Sequence, residues 1–369
     1  MADPAAARLT IDLDAVAHNH AILCAEAAGA EVAPVLKSDA YGLGAAPVGR
    51  RLWVEGARTF FVARLSEGEA LRAALGPERA ATILVLDGLT EHAEPRFAAA
   101  NLTPVLSSLA QLAAASAAAR DHPFNVALNI DTGMSRQGLT LDEARAAILA
   151  TDRLRGLEVG VVMSHLGSAA EPENPRNARQ LSVFLEARAL FPQARASLAA
   201  SAGIYLGPDY RFDLVRPGVS LFGGGPRERP DARFKAVVSL TAPILDVRTL
   251  RPGDVVGYGE SVRISASTRV AVVGAGYTDG IIRAAKGAGQ VWFAGALRRL
   301  LIVNMDIAVI EIDEADASLG EPVELLGPNA LLDDLAHAGG TVAHEILVRL
   351  SRRAERAYLG EPQHRTSKS

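Results

Sequence analysis

The chain predicts an α/β fold: a (β/α)8 barrel over residues 1–230, followed by a mostly antiparallel β domain over 231–369. Three observations carry that expectation. Eight short apolar runs of strand type recur before residue 230, most of them separated by longer Ala-, Leu-, Arg- and Glu-rich stretches of helical spacing. The texture changes at Gly223-Gly224-Gly225-Pro226. Beyond it, β-type runs dominate, punctuated by turn residues.

The eight runs lie at 32–37, 59–63, 82–86, 102–106, 124–130, 157–164, 195–199 and 212–215. Helical spacing is clear at 65–75, 109–120, 142–151 and 177–190. Strand–helix alternation implies right-handed βαβ units and a parallel sheet. Eight units in about 200 residues suit a closed barrel better than an open sheet. A doubly wound sheet is the alternative, but Gly42-Leu43-Gly44 is only a fragment of its glycine fingerprint. The charged, proline-bearing segment 227–233 reads as a linker. After it, strands are expected at 236–240, 244–247, 269–273, 290–293, 300–303, 309–312 and 323–326. Turn signals such as Arg251-Pro252-Gly253-Asp254 and Gly327-Pro328-Asn329 separate them. A helix-and-strand segment is expected over 330–350, and the first dozen or so residues are expected to pair with this second domain. The polar tail from Glu361 to Ser369 reads as frayed.

Composition narrows the function. Hydrophobic residues make up 49% of 369, enough for large cores, and the net charge of -4 gives no reason to expect nucleic acid or an anionic membrane as partner. Cys24 is the sole cysteine, which excludes a disulfide framework and a cysteine-based metal site and suits a reducing cytoplasm. No metal site is expected. The N-terminus lacks the features of a secretory signal, and no apolar run approaches the roughly 20 residues of a membrane span.

On the barrel plan, five polar positions fall at the carboxyl ends of strands, where barrel enzymes build their sites. Lys37 ends the first strand. Asp131-Thr132-Gly133-Met134-Ser135-Arg136 follows the fifth, His165 the sixth, Ser201 the seventh and Arg216 the eighth. Each alone has an ordinary reading: a snorkelling lysine, a turn aspartate, a strand-end histidine, a helix N-cap serine, a surface arginine. Their placement on one rim shifts the balance. A lysine at the end of a core strand is costly to bury unless its charge is removed or used. One use is a Schiff base with an aldehyde cofactor. The loops after strands seven and eight are the usual phosphate cradle of such barrels, and Ser201 with the Gly218 amide suits a phosphate monoester. For a pyridoxal phosphate held there and at Lys37, an arginine facing the pyridine nitrogen keeps that nitrogen unprotonated and weakens the ring as an electron sink.

The segments 33–44, 130–138, 163–175, Ser201-Ala202-Gly203, 215–218, Gly257-Tyr258-Gly259, 274–280 and Asn304-Met305-Asp306 together resemble the alanine racemase family, in the right order and across nearly the whole chain. The resemblance implies a pyridoxal phosphate enzyme, an amino-acid racemase acting on alanine. It further implies a head-to-tail homodimer with shared active sites, and a supply of D-alanine for peptidoglycan. Carried over position by position, Lys37 matches the lysine that binds the cofactor and acts as one base. Tyr277 matches the opposite base, lent by the partner subunit. Tyr41, Ser201 and the amides of Gly218 and Val219 match phosphate contacts, and Arg216 matches the partner of the pyridine nitrogen. Arg136 and the Met305 amide match contacts to the substrate carboxylate. His165 matches a histidine that supports the catalytic tyrosine, and Asp306 lies in the same element as Met305. One base on each face of the α-carbon removes one proton and returns another, which inverts the centre without rotating the substrate.

Five positions, at four places in the chain, depart from the family's pattern. Asn129 stands where many members have a lysine, Ala200 where Asn is usual, His344 in place of a tyrosine that reaches the phosphate, and Leu301-Ile302 in place of Gly-Arg. A racemase of wider or serine specificity would share nearly every feature. A pyridoxal phosphate decarboxylase of related fold would instead present an acid at the position of Arg216. A cofactor-binding protein without catalysis would lose Tyr277.

Overall fold

A computed structural model describes residues 6–119, 122–150, 154–260 and 262–361. Of the polar tail, only Glu361 is among them. The chain divides into two compact units. One holds His20–Ala40 and Gly44–Leu221. The other holds the residues up to Asn19, the short Tyr41–Leu43 segment and everything from Phe222 onward.

The strands are, in chain order, β1 Arg8–Asp12, β2 Glu31–Val32, β3 Thr59–Val62, β4 Thr82–Val85, β5 Thr103–Leu106, β6 Phe124–Asn129, β7 Leu157–Met163, β8 Arg195–Ser197 and β9 Leu214–Val215. Strands β3 to β8 form a parallel sheet in sequence order, and β2 pairs parallel with β9. Single bridges close the gaps. Leu36 N donates to Phe61 O at 2.7 Å on one side, and Arg216 N donates to Ala199 O at 2.9 Å on the other. The ring from β2 to β9 is therefore an eight-stranded closed barrel, the fold class expected from the strand count. Val35, just beyond β2, and Phe61, Leu84, Val105, Ala127 and Val161, one from each of the five strands β3 to β7, are buried in a single cluster that fills its interior.

The helices around it follow from spacing and caps. In Leu65–Leu75 the buried positions Gly68, Leu71, Arg72 and Leu75 fall at one face of a 3.6-residue repeat. Ser108 caps Leu109–Ala118 by accepting the Gln111 amide at 3.2 Å. Thr140 and Glu143 form a reciprocal box at the start of Leu141–Leu149.

The second unit continues with β10 Val238–Leu250, β11 Val255–Val256, β12 Val262–Arg263, β13 Thr268–Val273, β14 Gln290–Phe293, β15 Ala296–Val303, β16 Ala308–Glu311, β17 Pro322–Leu326 and β18 Glu355–Leu359. The order β13-β16-β15-β14-β17-β10 closes on itself through a β10–β13 pairing, giving a small antiparallel barrel. Strand β1 adds to β10 antiparallel, and β18 adds to β1 in parallel.

Two expectations change here. The runs at 236–240 and 244–247 are parts of one strand, β10, which turns from β17 to β13 near Pro243. Pro243 pairs with Pro322, where neither residue has an N–H to offer, and its carbonyl accepts Gly274 N at 2.9 Å. The segment 330–350 holds two helices, Leu332–Ala338 and Ala343–Arg349, and no strand. Ala343, Ile346, Leu347 and Leu350 bury one helical face, and the strand comes later, as β18. Among the described residues, no helix is long and apolar enough to cross a membrane.

Candidate active site

Lys37 follows the Leu36–Phe61 bridge at the carboxyl rim of the barrel. The next four residues take a conformation that L-residues avoid: φ is 55° at Ser38, 57° at Asp39, 53° at Ala40 and 57° at Tyr41. A left-handed turn costs roughly 1–2 kcal/mol per residue, so other contacts must impose it. Glu67 supplies one of them and is itself anchored by two further bonds. Its Oε1 accepts Ser38 N at 2.9 Å, and its Oε2 accepts Ala63 N at 2.8 Å and Arg64 N at 3.2 Å. Asp39 Oδ1 accepts Ala45 N at 2.7 Å, fastening the far end to the next helix. Burial, and then the Arg136 guanidinium, hold the Lys37 ammonium below its ordinary range, while the Glu67 carboxylate opposes them. Lys37 is thereby pushed toward the neutral, nucleophilic amine.

Arg216 is 3% exposed, and the acceptors recorded for it are neutral. It donates to Ser197 Oγ and Ser164 O, both at 2.5 Å. Burial pulls its guanidinium down to about 10. Ser197 Oγ in turn donates a hydrogen bond to Leu214 O at 2.6 Å, so the arginine is fixed across the ends of β7, β8 and β9. Beside it, Ser201 Oγ accepts Gly218 N at 3.0 Å and Ser220 N at 3.4 Å. Ser201 thus gathers the loop after β9 instead of capping the short 3-10 turn Gly203–Leu206, whose N-cap is Ala202. Val219 is buried in the same loop. Among the described residues, nothing lies within hydrogen-bonding reach of the buried Ser220 Oγ. An unpartnered buried hydroxyl costs roughly 1–3 kcal/mol unless a ligand meets it. A buried cation with neutral partners next to an unsatisfied hydroxyl fits a phosphorylated heterocycle.

The loop after β6 is shaped by Asp131, whose Oδ1 accepts the amides of Gly133 and Met134 at 2.8 and 2.9 Å. Asp131 is a turn residue, and it leads to the exposed Arg136. Asn129 donates to Gln137 O at 3.1 Å and Ser107 Oγ at 3.3 Å, bracing the same loop from below. Gln180, 1% exposed, ties it to the next one: its amide donates to Thr132 Oγ1 at 3.2 Å and to His165 O at 2.9 Å. Ala200 bridges to Arg216 through its backbone.

In the other unit, Tyr41 is 4% exposed, with ring centroids 5.1 Å from Phe222 and 5.7 Å from His344. Burial pushes its phenol well up. Leu301 and Ile302 are core residues of β15. Tyr277 and Met305 lie on two adjoining loops: Tyr277 N donates to Asn304 O at 2.9 Å, and Thr278 Oγ1 to Met305 O at 2.7 Å. Both side chains are exposed, at 41% and 53%. The approach is close enough to require glycine at 276, where a Cβ would sit 2.3 Å from Asn304 O.

A family model for the N-terminal domain of alanine racemase matches residues 11–226, and one for its C-terminal domain matches residues 237–358. The chain belongs to the alanine racemase family. The catabolic alanine racemase of Agrobacterium fabrum is 41% identical over 363 residues, spanning 96% of this chain and 92% of that protein. The biosynthetic alanine racemase of the same organism is 38% identical, over 95% and 93%. A crystal structure of alanine racemase from Bartonella henselae with covalently bound pyridoxal phosphate superposes with a TM-score of 0.89 at 33% identity, covering 96% of this chain and all of that one.

Within the racemase barrel, the structure brings Lys37, Arg136, His165, Ser201, Arg216, Gly218 and Val219 to loops at one rim. Tyr41, Tyr277 and Met305 belong to the other unit. Sequence reading missed Glu67, Gln180, Ser197 and Ser220, which hold or complete that rim. Glu67 had a usable signal, a glutamate four residues beyond Ala63 at a helix start. Ser220 had none, because an isolated serine beside a glycine reads as loop.

Proposed function

We propose that this protein interconverts L-alanine and D-alanine with pyridoxal phosphate as cofactor, Lys37 and Tyr277 serving as bases on opposite faces of the α-carbon. The observation that carries the reading is the strained turn that presents Lys37 at the barrel rim with its ammonium held below the ordinary range. When bound, pyridoxal phosphate supplies an aldehyde for the amino acid's amine and a ring that withdraws electrons from the α-carbon. Lys37 would hold that aldehyde carbon. Ser201, the Gly218 and Val219 amides, the Ser220 hydroxyl and Tyr41 would hold the phosphate, and Arg216 the ring nitrogen. His165 would support Tyr277. Arg136 and the Met305 amide would take the substrate carboxylate and fix which face each base meets. Lys37 then accepts or returns the proton on one face, and Tyr277 does so on the other.

The exposed, adjoining Tyr277 and Met305 suit donation to the barrel of a second copy, so the working form is a homodimer with shared sites. The enzyme would work in the cytoplasm and supply D-alanine for peptidoglycan. The test uses purified protein loaded with pyridoxal phosphate. We expect the cofactor's absorbance band to vanish in Lys37→Ala, alanine interconversion to vanish in Tyr277→Phe, and sedimentation to report a dimer. Rates on alanine, serine and lysine then define the substrate range. A cofactor band without interconversion in the unaltered protein would sink the reading.

A further inference from the structure

We propose that Arg353 is a positioning residue for Tyr277: its guanidinium clamps the loop that carries the tyrosine to the loop that carries Met305, so that the proton-transfer group and the carboxylate contact move as one piece. The inference rests on the reading of Tyr277 as a base.

The clamp has three charged parts. Asp279, two residues after Tyr277, is 2% exposed. Its Oδ1 accepts Arg353 Nε at 2.8 Å, and its Oδ2 accepts Arg353 Nη2 at 2.5 Å. The same Oδ2 accepts Gly276 N at 2.9 Å, on the other side of Tyr277. The remaining arm of the guanidinium, Nη1, bonds Asp306 Oδ1, directly after Met305. The two loops also share backbone contacts, Tyr277 N to Asn304 O at 2.9 Å and Thr278 N to Met305 O at 3.1 Å.

A surface ion pair would contribute little. This arrangement differs because one carboxylate is buried and is met by the planar fork of an arginine through two parallel bonds. Removing that partner leaves a buried charge uncompensated. Lysine keeps the charge but cannot reach two carboxylates with a fixed fork. The geometry constrains Tyr277 from both flanks and leaves its phenol exposed, as a group that must meet substrate requires.

The distinguishing measurement is the deuterium isotope effect on kcat/KM in each direction, with α-deuterated L- and D-alanine, for the holoenzyme, R353K and D306N. We expect R353K to lower kcat by tenfold or more. Its isotope effect should rise only in the direction in which Tyr277 takes the proton. D306N, which removes the outer arm alone, should show a smaller change of the same sign. Without cofactor, amide hydrogen exchange in 276–280 and 304–306 should quicken together in R353K. Isotope effects that match the unaltered enzyme in both directions, with unaltered exchange in both loops, would overturn the clamp. Y277F separates the two claims. If it still racemises, the reading of Tyr277 fails. If it is dead while R353K behaves as unaltered, only the clamp fails.

Discussion

Glu67 Oε1 accepts the Ser38 amide at 2.9 Å, so the residue after Lys37 is tied to the helix that follows β3. The bond links the residue after a catalytic candidate to a carboxylate 29 positions away, and it accounts for how a left-handed turn survives without glycine at 38–41. The same carboxylate raises the Lys37 ammonium against burial and Arg136, which lower it. In Glu67→Gln the acceptor for Ala63 and Arg64 persists, but the amide nitrogen faces another donor at Ser38. We expect a loss of about 1–3 kcal/mol of stability. With the opposing charge removed, the Lys37 ammonium falls further, so the neutral amine prevails at lower pH. Urea unfolding reads the first effect. The pH midpoint for capture of pyridoxal phosphate by Lys37 reads the second, and it should move down. An unmoved midpoint with unmoved stability would refute the role.

A Cβ at residue 276 would meet backbone on two sides, Asn304 O at 2.3 Å and Met305 O at 2.4 Å. Neither neighbour is a flexible side-chain end, so the two loops must part. Gly276→Ala is expected to cost at least about 1–3 kcal/mol through overpacking. Its larger effect should be on catalysis, because Tyr277 and Met305 sit on the surfaces that separate. We expect kcat/KM for alanine to drop by tenfold or more while the cofactor band, which depends on the barrel, is kept. A variant with full activity would show that the loops tolerate the shift.

How much of this was legible in the sequence depends on how local each signal was. The eight barrel strands were readable because period and turn residues act over a few positions. Lys37 at a strand end was readable for the same reason. The left-handed turn after it was not, because Ser38, Asp39, Ala40 and Tyr41 carry no mark of positive φ; the contacts from Glu67 and Asp39 impose it. Ser201 was readable as part of the phosphate cradle, but that its hydroxyl accepts the Gly218 amide 17 residues on is visible only in the fold. The runs at 236–240 and 244–247 read as separate strands, yet one strand passes through Pro243 at the crossing point where no N–H is needed. Arg353 lies 74 residues from Asp279, and only folding shows that they share a clamp.

Asp333 offers a pH test of the second unit. It is 4% exposed, and its Oδ2 accepts Gly225 N at 2.8 Å, which pins the glycine-rich turn beyond the barrel. Burial pushes its carboxyl up from 3.8 to about 6, with Asp334 and Glu228 adding to the rise and the Gly225 bond opposing it. The folded state therefore holds the proton more tightly than the unfolded chain. That contribution to stability is fully present below pH 3.8 and is lost as pH rises through about 6. A two-unit shift corresponds to about 2–3 kcal/mol. Asp333→Asn keeps an acceptor for Gly225 and cannot ionise. The stability of D333N minus that of the unaltered protein should therefore grow by about 2 kcal/mol between pH 4 and pH 7. Urea unfolding at the two pH values measures it, and a difference that stays constant across that range would show that Asp333 ionises in the fold as it does in the unfolded chain.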